Sequence, residues 1–87
     1  MFISVIHRIS DPDGFQEMTR NADIPDGFHI PQVVMAADRS VAICLWEAPS
    51  LERVRDLLEP MTGGLCKNEY AEVDATKSLG LPAATMA

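Results

Sequence analysis

The chain has 87 residues, 47% of them hydrophobic, and a formal net charge of −6 at pH 7. That length gives one domain with a modest core, and that hydrophobicity excludes a disordered chain. Seven scattered Lys and Arg against thirteen Asp and Glu disfavour nucleic acid and anionic membranes, because phosphate binding needs clustered basic side chains.

No apolar stretch approaches the roughly 20 residues of a membrane helix. The start, Met1-Phe2-Ile3-Ser4-Val5, has neither a basic region nor a small-residue cleavage site. The expectation is a cytoplasmic protein with no membrane partner, in which Cys44 and Cys66 are reduced thiols.

Residues 2–9 read as a strand, with Ile3, Val5, His7 and Ile9 on one face and Phe2, Ser4, Ile6 and Arg8 on the other. Asp11-Pro12 supplies a helix cap followed by proline at the first helical position. Phe15, Met18 and Ala22 share one face of a short helix from Pro12 to about Asn21, which Gly14 weakens. The segment 23–27, Asp-Ile-Pro-Asp-Gly, is a loop by its turn residues.

Two apolar runs follow, at 33–37 and 41–46, separated by Asp38-Arg39-Ser40. A strand with one wet face alternates apolar and polar residues, and these runs do not. They predict a hairpin with strands near 30–37 and 41–47, covered on both faces. Pro31 cannot donate to a ladder, which puts the first arm at a sheet edge. Ala48-Pro49-Ser50 ends the hairpin and caps a second helix whose apolar stripe is Leu51, Val54, Leu57, Leu58 and Met61. Pro60 and Gly63-Gly64 are the expected stop signals. A last strand runs from about Cys66 to Val73.

The order β-α-β-β-α-β is the split arrangement of a ferredoxin-like α+β fold, a four-stranded antiparallel sheet with both helices on one face. The single domain spans residues 1–75. The remainder, 76–87, has no period and reads as a flexible tail or a dimer arm. Two helices cover one face of the hairpin, so a second copy of the chain is expected on the other, as a homodimer.

Few residues carry chemistry. His7, on the apolar face of the first strand, reads as a core histidine or as a base or ligand on a cleft floor. Glu47 ends the third strand, as a solvated carboxylate or a ligand. About five residues at about 3.3 Å each separate the two along the sheet, so a site shared within one protomer is not expected. His29 lies in a loop. Cys44 and Cys66 form no zinc spacing, and two strand spacings of about 4.8 Å each keep them from bridging. Cys66, near His7, is the better ligand candidate. Trp46 and Tyr70 read as core residues or as the lining of a polar cleft, with Asn68 and Glu72 beside Tyr70.

FISVIHR, the helix closing on NADI, CLWEAPSLERV and the terminal EYAEV resemble a family of small cytoplasmic ferredoxin-like proteins that includes nickel-binding members. The resemblance covers roughly residues 2 to 75 and is most specific over 44–50. It implies a fold of the dimeric α/β-barrel type, with sheets packed through their helix-free faces. Residue by residue, it implies metal or ligand roles for His7 and Glu47 alone; Cys66 and His29 are secondary metal-ligand candidates, and Trp46 and Tyr70 candidate ligand contacts, from their own places in the chain. Nickel-binding relatives carry histidine in the first helix and after the second, where this chain has Met18-Thr19-Arg20-Asn21 and Thr62-Gly63-Gly64-Leu65. The expected function is binding of a transition-metal ion such as nickel, or of a small ligand. The alternatives are a cofactor-independent monooxygenase or isomerase with a pocket lined by His7, Trp46 and Tyr70, or a structural dimer without a pocket.

Overall fold

The computed structural model describes residues 1–84. The elements are β1 (Phe2–Ile9), α1 (Pro12–Asn21), β2 (His29–Met35), β3 (Val41–Glu47), α2 (Leu51–Thr62) and β4 (Cys66–Glu72), with a 3₁₀ turn at Ala75–Lys77. The strands form one sheet in the order β2-β3-β1-β4, every neighbouring pair antiparallel. This is the ferredoxin-like α+β arrangement that the element order predicts.

Register decides which side chains meet. Ile3, Val5 and His7 oppose Trp46, Cys44 and Ala42 of β3. On the other side Val5 and His7 oppose Tyr70 and Asn68 of β4. These residues share the face that the helices cover, where Phe15 of α1 and Val54 and Leu58 of α2 are buried. The opposite face carries Ile6, Val34, Ile43 and Leu45, and there Val34 and Ile43 stay 52% and 46% exposed. The helices therefore leave the hairpin's second face open, and even on the face they cover Val33 of the edge strand is 58% exposed.

Both helices start where their caps allow. Asp11 Oδ1 accepts from the Gly14 amide at 3.0 Å, and Ser50 Oγ from the Arg53 amide at 3.1 Å. Pro60 does not end α2, contrary to the expectation, but lies inside its last turn. A proline there removes only the bond to the carbonyl of Asp56, four residues back, and Asp56 is exposed. Thr62 completes the turn by donating its hydroxyl to the Leu58 carbonyl at 2.9 Å. The stop is Gly64, at φ +80°, which swings the chain into β4.

Strand β2 is an edge strand, and its register slips between His29 and Gln32, around Pro31. It ends at Met35 rather than Ala37, because residues 36–39 make the turn: the Arg39 amide donates to the Ala36 carbonyl at 2.9 Å. The Arg39 side chain reaches Asp13 and Gln16, joining the hairpin tip to α1.

The 3₁₀ turn Ala75–Lys77 spans the junction of the domain and the expected tail and is held by Asp74, whose Oδ1 accepts from the amide and hydroxyl of Thr76. Leu79 is fully exposed. Pro82 and Ala83 lie beside His29, Ile30, Pro31 and Glu47. Residues 85–87, the end of that tail, lie outside the described residues.

Candidate functional site

The expected site residues fall into two separate places. His7, Trp46, Cys66 and Tyr70 are on the helix-covered face. Glu47 and His29 oppose each other across β2 and β3, with Glu47 also opposite Phe2 on the helix-free side. Strand parity therefore puts His7 and Glu47 on opposite faces of the sheet, besides their separation along it. Glu47 is buried rather than a solvated strand end, and the two prolines and Ala83 noted above lie close to it. The four expected metal ligands do not converge. Among the described residues, no group of three or more His, Cys, Asp and Glu is placed to hold a metal ion.

Between α1 and the sheet lies a cavity of about 300 Å³, bounded mainly by apolar side chains. Its walls include Phe15, Met18, Met35, Trp46 and Met61, and His7 contributes to the lining. Tyr70, expected in such a pocket, is not part of it; its hydroxyl donates to Glu59 Oε2 at 2.5 Å instead. The cavity exists because α1 offers the sheet only one fully buried side chain, Phe15, whose ring sits 5.1 Å from the imidazole of His7. Met18 and the single methyl group of Ala22, just past the end of α1, do not fill the space toward the β2 edge.

His7 is almost fully buried, 2% exposed, and its Nδ1 lies 2.6 Å from Asn68 Oδ1. The hydrogen bonds around Asn68 fix the proton. Asn68 Nδ2 lies 2.8 Å from Glu59 Oε2 and 2.9 Å from Thr62 Oγ1. A carboxylate only accepts, so the NH₂ group must face Glu59 and the amide oxygen must face His7. The Cys66 thiol donates to the same oxygen at 3.2 Å, consistent with that orientation. Nδ1 of His7 is therefore the donor, and in the neutral ring Nε2 is left as the acceptor. No hydrogen bond engages Nε2 among the described residues.

Burial lowers the pKa of His7 below its ordinary 6.5, opposed in part by the bond to Asn68. The imidazole is thus neutral at pH 7. Hydrogen bonds from Tyr70 and Asn68 hold the Glu59 carboxyl below its usual range, so it is ionised. Burial, with the bond to Glu59, pushes the Tyr70 phenol well up. The Cys44 thiol is pushed up to about 11, chiefly by burial, and that of Cys66 is raised for the same reason. Both cysteines are free and protonated at neutral pH, so neither is a ready nucleophile. The buried indole Nε1–H of Trp46 has no acceptor among the described residues.

Sequence reasoning reached His7, Trp46 and Asn68 but missed Glu59 and Thr62. Their signal was faint: Glu59 sits among the charged residues of α2, and Thr62 next to a glycine pair. The three methionines of the cavity were legible only as core. Fold and site together define the class: an α+β sheet protein with one histidine held in a single tautomer beside an apolar cavity. Comparison with protein-family models, curated proteins and solved structures finds no match for the chain.

Proposed function

We propose that this protein binds a small, largely apolar molecule in the cavity under α1, with His7 Nε2 as its polar anchor, and that it works as a homodimer. The observation that carries this reading is the pairing of a 300 Å³ apolar cavity with an imidazole whose free nitrogen is left as an acceptor.

The Glu59–Asn68–His7 chain favours a second reading. An imidazole oriented through Nδ1 and bare at Nε2 is the form a general base takes. In a cofactor-independent enzyme, Nε2 would accept a proton from the bound molecule. Binding of a nickel-like ion draws less support, because Cys66 and Asn68 are occupied with each other and with Nδ1 of His7.

The test is calorimetric titration of the protein with naphthalene-sized probes, alongside the cavity-filling variant Ala22→Phe. Ala22 lines the cavity and is only half-buried, so the larger ring enters the void rather than the packed core. Wild-type binding that Ala22→Phe weakens at least tenfold is the expected result. No binding to wild type, or equal binding by the variant, refutes the reading.

A further inference from the structure

We infer that the molecule held in the cavity is a neutral aromatic compound carrying one hydroxyl group, which donates its hydrogen to His7 Nε2. This rests on the cavity-binding reading above and narrows it to a ligand class.

Three features set the class. The first is the polarity of the anchor. Glu59 fixes the Asn68 amide, Asn68 fixes the proton on His7 Nδ1, and Nε2 can only accept. A ligand with nothing but acceptors, such as an ether or ketone, gains nothing there. The second is charge. The cavity lining contains no Lys, Arg, Asp or Glu. A charged group beside the buried His7, away from the exposed rim of Gln16, Thr19 and Val33, would lose its hydration without a partner, which costs far more than one hydrogen bond returns. The third is size and shape. At the ~30 Å³ that liquid water gives each molecule, the void equals about ten waters, matching about ten non-hydrogen atoms. Phe15 and Trp46 present ring surfaces, and Met18, Met35 and Met61 present thioethers, which are adaptable and make favourable contacts with ring edges. A flat, fused two-ring molecule fits that wall better than a branched aliphatic one.

The experiment compares four probes of nearly equal size on the wild-type protein by titration calorimetry at pH 7.5. They are 2-naphthol, 2-methoxynaphthalene, naphthalene and 2-naphthoate. The expected order puts 2-naphthol about tenfold tighter than 2-methoxynaphthalene and naphthalene, one hydrogen bond's worth, with 2-naphthoate not bound. In His7→Leu, the preference for 2-naphthol over naphthalene disappears while naphthalene still binds. Nitrogen-15 spectra of the histidines give a readout that needs no variant. Nε2 of His7 should appear as an unprotonated nitrogen in the free protein and shift on adding 2-naphthol. Equal affinities of 2-naphthol and 2-methoxynaphthalene overturn this inference and leave the cavity reading standing. So does tighter binding of the naphthoate, or a protonated Nε2 in the free protein. Failure of all four probes to bind overturns both.

Discussion

His7 has three neighbours that set its behaviour: Asn68 of β4 at Nδ1, the Cys66 thiol 3.9 Å from the same nitrogen, and the Phe15 ring of α1. The charged group linked to it by hydrogen bonds is Glu59 of α2, one amide removed, and β3 brings Ala42 opposite it. Burial dominates, so the folded pKa lies below the unfolded one. The sign follows directly. Above pH 6.5 the ring is neutral in both states and stability is full. As pH falls below 6.5 the unfolded chain takes up a proton that the folded protein does not, and stability drops until the folded pKa is passed. The slope cannot exceed about 1.4 kcal/mol per pH unit, the value for one proton. Urea denaturation at pH 7.5 and 5.5 should show this loss, and His7→Gln should reduce it. An unchanged pH dependence in that variant would assign the effect to other groups. The sequence made His7 conspicuous, a lone imidazole among alternating apolar residues. Strand parity placed Asn68 on the same sheet face. Glu59 was not legible, because whether an exposed carboxylate on α2 bends back to β4 depends on how the helix seats on the sheet, which no periodicity records.

At the scale of elements, the strands and helices were readable nearly to their ends, because alternation, caps and turn residues agree locally. The misreadings sit where a local signal is overruled by position. Pro60 breaks a helix in the interior but is tolerated in the last turn of α2. Gly14 is the reverse case. Intrinsic propensity marks it as a weak point that alanine would improve by about 1 kcal/mol. In the folded protein a Cβ at that position would lie 2.5 Å from Asp11 Oδ2 and 2.8 Å from Leu65 Cδ2. The Asp11 carboxylate would have to turn away from the Gly14 amide it caps, and losing such a cap costs about 1 kcal/mol. Gain and cap loss cancel, so the overpacking against Leu65, at about 1–3 kcal/mol, decides the sign, and Gly14→Ala should destabilise the protein by about 1 kcal/mol or more. Thermal or urea unfolding decides this, and a more stable variant would mean that the carboxylate caps equally well from another rotamer. The cavity belongs to this scale too. A helix with one fully buried side chain leaves space beneath it, yet the sequence of α1 shows only an apolar face and not how far that face stands from the sheet.

For the whole molecule, assembly turns on the sheet face that the helices leave open. Val34 on the edge strand β2 and Ile43 on its neighbour β3 are register partners, each about half exposed, with Ile6 beside Ile43 on β1. Toward β4 the face turns polar, with Arg8 and Glu69 paired at 2.9 Å and Lys67 opposite Arg8. Four strands about 4.8 Å apart and about seven residues of about 3.4 Å give a footprint near 450 Å². Two such faces give about 900 Å² in all before the relief of interlocking side chains is counted, the scale of a small interface rather than the ~1,600 Å² total of a standard one. Charges of both signs on the face let two acidic chains meet there despite a net charge of −6 each. We therefore expect a homodimer through this face, as the two unbroken apolar runs of the hairpin imply. Ile43→Arg is the discriminating change, because a residue already 46% exposed can carry arginine without entering the core under the helices. Light scattering during size-exclusion chromatography should find the wild type at twice the monomer mass and Ile43→Arg at the monomer mass, with an unchanged circular dichroism spectrum. A dimeric variant would move the interface elsewhere. A monomeric wild type would mean that the exposed valine and isoleucine are simply tolerated in water, as isolated apolar residues on a small protein often are, and that the cavity under α1 is complete within one chain.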